Sequence, residues 1–143
     1  MRKLLILAIS AATVGMLASV VSAGTEDYLF DALSKPAFAT LYTPLIRKAG
    51  LPAWVARGGT ATPAVAVKDK AGPASIYASC KPHDCASEQI LIYYRPSDGH
   101  MSGVFVRNRH DDEASPASQT RLQWLGKSVA EERRLLLGQL DVN

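Results

Sequence analysis

The stretch EQILIYYRPSDGHMSGVFVRNR, Glu88 to Arg109, decides the fold. Ile90, Ile92 and Tyr94 alternate against Leu91 and Tyr93, the period of two that belongs to an extended chain. "PSDGH" then reads as a turn, with Gly99 free to take a positive φ. "MSGVFVRNR" resumes as the next strand. Working upstream, "ASIYASC" reads as a strand with Ile76, Ala78 and Cys80 on one face. "TPAVAVKD" is the strand before it, and "KAGP" is the turn between the two. Downstream, "HDDEASPASQ" is a polar loop with three consecutive acids, Asp111, Asp112 and Glu113, and "TRLQWL" reads as a fifth strand.

Helical periodicity brackets these strands. Phe38, Leu41, Tyr42, Leu45 and Ile46 follow the i, i+3, i+4, i+7, i+8 pattern of one apolar face. Pro36 suits a first turn, Pro44 predicts a kink or break near Thr43, and Gly50 ends the pattern. Thr25 is placed to cap a shorter helix before it, with Glu26 and Asp27 at its positive end. In "LPAWVARGG", Pro52 starts one more helical turn, Gly58 and Gly59 end it, and Trp54 is a core residue. After the strands, Ser128 and Glu131 of "SVAE" form a capping box, with Leu136 and Leu140 facing the core behind Val129. The order predicts an α+β domain: a central antiparallel sheet of about five strands with N-terminal helices and a C-terminal helix packed on it.

A chain of 143 residues accommodates one domain. Residues 1–23 read as a signal peptide: Arg2 and Lys3, an apolar run from Leu4 to about Val21, then the small-residue pattern Val21-Ser22-Ala23. No cysteine follows directly, so a lipoprotein anchor is not expected. The functional domain is then 24–143, exported to the periplasm and free of the membrane once the signal is cleaved. Losing Arg2 and Lys3 takes the formal charge from +3 to +1 and leaves no basic stripe for nucleic acid.

Export changes the meaning of the two cysteines in "SCKPHDCAS". An oxidising compartment favours a disulfide, and only Cys80–Cys85 is available within one chain. The pair sits at the base of a hairpin, where Cα atoms approach closely enough to be bridged. So short a ring adds only about 2 kcal/mol of stability, so its value is local. It presents Lys81, Pro82, His83 and Asp84 as one rigid knob that loses little entropy on association. Other readings compete. A metal site would have Cys80, His83 and Cys85, three ligands where structural zinc takes four, with His100 and His110 distant; neither metal nor other cofactor is expected. A catalytic site would use the His83–Asp84 pair, yet no nucleophile and no phosphate loop accompany it, so the chain is read as not an enzyme. A plain structural clip on a hairpin in an envelope protein stays open.

"CKPHDC", preceded by "LPAWV…GG", resembles the Ivy family, inhibitors of vertebrate lysozyme exported by Gram-negative bacteria. The likeness runs from about Leu51 to Phe105, with a weaker echo at "LQWL"; the N-terminal helices and the tail after Leu125 match only in general character. The resemblance implies a periplasmic α+β domain whose disulfide-closed loop enters the active-site cleft of C-type lysozyme. It implies that His83 reaches the catalytic carboxylates, framed by Lys81, Pro82 and Asp84 and clasped by Cys80–Cys85. An imidazole has two ring nitrogens pointing different ways and, when charged, donates from both. This is occlusion without chemistry. Vertebrate C-type lysozymes are typically basic, whereas the exported chain is near neutral, so any steering is local, from Asp111, Asp112 and Glu113 if they lie near the ring. The bacterium's own lytic transglycosylases are an alternative target, and a homodimer is left open. His100 and His110, on a turn and a polar loop, read as solvated.

Overall fold

The computed structural model describes residues 27–109 and 119–140. The first 26 residues, including the expected signal peptide, Thr25 and Glu26, lie outside this range, as do His110 and the acidic run Asp111 to Glu113. Helix α1 (Leu29–Leu33) is followed by α2 (Pro36–Ala49) and a short 3₁₀ turn (Val55–Arg57). Six strands come next: β1 (Thr60–Ala61), β2 (Val65–Asp69), β3 (Gly72–Cys80), β4 (Glu88–Arg95), β5 (His100–Arg109) and β6 (Gln119–Leu125). Helix α3 (Ala130–Leu137) closes the fold. The sheet runs β1-β3-β4-β5-β6, every pairing antiparallel, with β2 lying beside β1 on the same edge of β3.

Helices cover both faces of this sheet, which is why β4 is apolar at successive positions rather than at alternate ones. Ile90, Ile92, Tyr77, Met101, Phe105 and Leu125 form one core with α1, α2, Trp54 and Val55. Leu91, Tyr93, Ile76, Val104 and Val106 form a second core under Leu136 of α3. The two interleaved sets are the two parities read from the sequence. Gly103 stands in β5 where Ile92 of β4 lies opposite; a Cβ there would come within 2.6 Å of the Leu91 carbonyl.

Several local expectations are corrected. "TPAVAVKD" is not one strand: Thr62, Pro63 and Ala64 separate β1 from β2, because proline cannot donate to the ladder. Gly72 and Pro73 of "KAGP" belong to β3, and the turn itself is held by Asp69, whose Oδ1 accepts from the Ala71 and Gly72 N–H groups. Helix α2 is unbroken at Pro44. The proline lies on the exposed face, while Phe38, Tyr42 and Ile46 hold the other face in the core. The first helix is capped from Tyr28, whose N–H donates to Asp31, and Asp27 instead accepts from Lys35 and Tyr77. The box at α3 is shifted by one residue: Glu132, not Glu131, accepts from the Val129 N–H, and Ser128 accepts from Arg133. Val129 is largely exposed rather than part of the core. Pro36 at the helix start, Gly50 at φ 64° and Gly99 at φ 66° stand where the sequence placed them.

Candidate functional site

The ring stands at one end of the β3–β4 hairpin. Cys80 is the last residue of β3, Cys85 lies three positions before β4, and the two are joined in a disulfide with Cα atoms 4.8 Å apart. Both sulfurs are thereby spent on each other, which removes two of the three donors a metal reading needed. Inside the ring the backbone folds into a tight turn: the Asp84 N–H donates to the Lys81 carbonyl at 3.0 Å, and the Lys81 N–H donates to the Glu88 carbonyl at 3.0 Å. His83 takes φ 64° and is the only non-glycine with positive φ among the described residues. A side chain in that left-handed conformation is held there by its surroundings at a cost of about 1 kcal/mol or more.

The ring's charges are arranged around Asp84. Its Oδ2 accepts from the Ser87 hydroxyl at 2.6 Å and from Lys81 Nζ at 3.0 Å. Ser87 first and Lys81 second hold this carboxyl below the usual carboxylate range. Asp84 is therefore occupied within the ring and is not paired with the neighbouring imidazole, as adjacent positions in sequence already made difficult. Pro82 and His83 are exposed at the tip, Lys81 and Asp84 half-buried behind them. Among the described residues His83 has no hydrogen-bond or ion-pair partner, so its ring is free to meet another molecule.

The foot of the ring is packed. Ser79 donates to the Gly58 carbonyl; Gly59, at φ 55°, leaves no room for a Cβ, which would lie 2.7 Å from the Trp54 ring. This is the physical content of the "LPAWV…GG" segment: two glycines let β1 press against the last residues of β3. Trp54 is in the core as expected, and its Nε1–H donates to Glu88 Oε2 at 2.9 Å. Glu88 also accepts from Arg107 Nε at 3.1 Å, so the first residue of β4 is tied on both sides. A mostly apolar groove of about 310 Å³ opens beside the disulfide, between Thr60, Thr62, Ala78, Ala86 and Gln89.

His100 is not a solvated turn residue. It begins β5, with Nε2 2.9 Å from Oε1 of the buried Glu132 and its ring edge-on to Tyr93. The distance from His100 to Glu132 spans two elements, which no local pattern could reveal. Ser87, Glu88, Gln89 and Asn108 were also absent from the sequence reading of the site. Ser87 lies only two positions past Cys85 and was the one accessible from spacing.

Fold and ring together define a class: a one-sheet α+β domain that presents a clasped, preorganised loop. The chain belongs to the inhibitor of vertebrate lysozyme (Ivy) family, whose model matches residues 39–139. The match therefore includes most of α2 and all of α3, beyond the stretch from Leu51 to Phe105 that carried the resemblance. The chain is similar to the inhibitor of vertebrate lysozyme of Escherichia coli K12, 33% identical over 120 residues that cover 82% of this chain and 73% of that protein. It is similar to the protein of the same name from Pseudomonas aeruginosa, 27% identical over 122 residues covering 81% and 79%. An uncharacterized protein of Yersinia pestis is 26% identical over 115 residues, 78% and 75% of the two chains.

Proposed function

We propose that this protein inhibits a C-type lysozyme by seating the Cys80–Cys85 ring in the enzyme's active-site cleft. The observation that carries the reading, beside family membership, is the geometry of His83: exposed at the apex, unpartnered, and projected by a left-handed backbone from a disulfide-closed turn. A retaining glycosidase of this kind holds an un-ionised carboxylic acid and an ionised partner carboxylate a few ångströms apart. A charged imidazole offers one donor toward each. The ring does no chemistry; Lys81, Pro82 and Asp84 frame the histidine, and the enzyme's cleft is filled.

Residues 1–23 act as a signal peptide, and the domain 24–143 works in the periplasm, where the clasp is oxidised. Among the described residues no helix is long and apolar enough to cross a membrane. The test is an activity assay of a C-type lysozyme on peptidoglycan with the protein purified from periplasm. Inhibition at or below micromolar concentration is expected; full lysozyme activity at that concentration would overturn the reading.

A further inference from the structure

A disulfide closes a ring but does not aim it. A six-residue loop on two stems remains free to rock about the end of its hairpin unless something ties it to the neighbouring strands. In this protein the tie is on the C-terminal stem. The carbonyls of three consecutive residues are each taken: Cys85 accepts from Gln89 Nε2 at 3.2 Å, Ala86 from Asn108 Nδ2 at 2.8 Å, and Ser87 from the Asn108 backbone N–H at 2.8 Å. Two of the three donors belong to Asn108, on β5, the strand beyond the hairpin that carries the ring.

The orientation of the Asn108 amide is itself set. Its Oδ1 accepts from the Thr120 hydroxyl of β6 at 2.8 Å, in register with the Asn108–Thr120 strand pair. A side-chain amide has one acceptor end and one donor end, so Thr120 turns Nδ2 toward the Ala86 carbonyl. The relay runs from β6 through β5 to the ring, and it uses no residue of the ring's tip. The same stem carries Ser87, which holds Asp84 in place, so a shift of this stem moves the base of the tip.

We infer that Asn108 is a positioning residue for the inhibitory loop, oriented by Thr120. The inference rests on the proposed function for its consequence in inhibition, but not for its consequence in loop motion. These bonds are solvent-accessible, so their net contribution to stability is small. Their effect on binding is larger because a loop free to rock must be ordered again on association.

The experiment compares wild type, Asn108→Ala, Thr120→Val, His83→Ala and the Asn108→Ala/His83→Ala double variant, using direct binding to one C-type lysozyme and backbone amide relaxation of the free proteins. Asn108→Ala is expected to increase the mobility of amides 83–87, to leave the melting temperature almost unchanged, and to weaken binding about tenfold. Thr120→Val is expected to give a smaller change of the same kind. In the His83→Ala background, Asn108→Ala should cost less than about twofold, because a loop without its contacting side chain gains little from being aimed. Unchanged relaxation of amides 83–87 in Asn108→Ala overturns the inference. An equal loss of binding in both backgrounds also overturns it, since that is the behaviour of a residue contacting the partner directly. If wild type does not bind lysozyme, the functional reading fails, and the relaxation data alone decide whether Asn108 holds the loop.

Discussion

Two histidines sit near opposite ends of strand β4, and their surroundings differ in every respect. His83 is at a ring apex, exposed and unpartnered. His100 abuts Tyr93 and the buried carboxylate of Glu132, which also accepts from Ser102 at 3.0 Å and lies 4.0 Å from Arg95. Around it Arg95 donates to Asp98 and Asp69 and to the Tyr93 hydroxyl, and Tyr93 donates to Asp69 at 2.5 Å. One end of the sheet leaves an ionisable ring free; the other gathers the two buried carboxylates of Asp69 and Glu132 with Arg95 and the partly buried His100. Free polar groups are available to a partner. Polar groups gathered at the buried end instead bind one another by ion pairs and hydrogen bonds and fix a helix on a sheet.

The contrast is broken most directly by removing each histidine. His83→Ala truncates one side of a desolvated charged contact in the proposed complex. It should weaken inhibition by roughly 30- to several-thousand-fold while leaving the melting temperature unchanged. His100→Ala should do the reverse: inhibition retained, stability lowered. Parallel inhibition titrations and thermal melts of the two variants check this.

Next in size is Arg95→Ala. It strands Asp69 and Glu132, both almost wholly buried, with their cation gone. Removing one partner of a buried pair costs about 3–5 kcal/mol, read as a lower denaturant midpoint. The ring should still inhibit at temperatures where the variant is folded.

The clasp comes third. Reduction of Cys80–Cys85, or the double change to serine, should lower stability by only about 2 kcal/mol and inhibition by much more. A loss of the sheet's circular dichroism on reduction would show that the disulfide holds the fold rather than the tip.

Acid sharpens the comparison further. Asp69 lies below the ordinary carboxylate range chiefly because the Tyr93 hydroxyl donates to it, against the opposing effect of burial and with help from the Ala71 N–H and Arg95. Tyr93 is pushed up to about 12 by burial and by the same carboxylate. A carboxyl depressed in the folded state stabilises fully above its unfolded value, about 3.9, and that contribution is lost as pH falls through the folded value. Wild type should therefore lose stability as the pH falls below about 4, and Asp69→Asn, already weaker, should show a flatter dependence there. Denaturant midpoints at several pH values measure it.

The smallest effect is at the tip. His83→Gly relieves a left-handed strain and should raise stability by up to about 1 kcal/mol while abolishing what the imidazole contributes. A destabilised glycine variant would show that the histidine side chain packs on the ring.

The sequence by itself determined the sheet's two parities, the amphipathic face of α2, the helix cap at Gly50 and the turn at Gly99, and the location of the ring. Each rests on neighbours within a few positions, where period, turn chemistry and cysteine spacing act. It also singled out His83, because a proline and two cysteines close by leave one imidazole at the centre. What only the tertiary structure decided depends on contacts between distant segments. Pro44 does not break α2, because burial of Phe38, Tyr42 and Ile46 outweighs one missing hydrogen bond. Glu132 rather than Glu131 caps α3, because only its side chain also reaches Ser102 and His100 across the sheet. Asn108 meets the ring because β5 pairs beside β4 in one register, and antiparallel pairing brings together residues whose separation along the chain carries no signal.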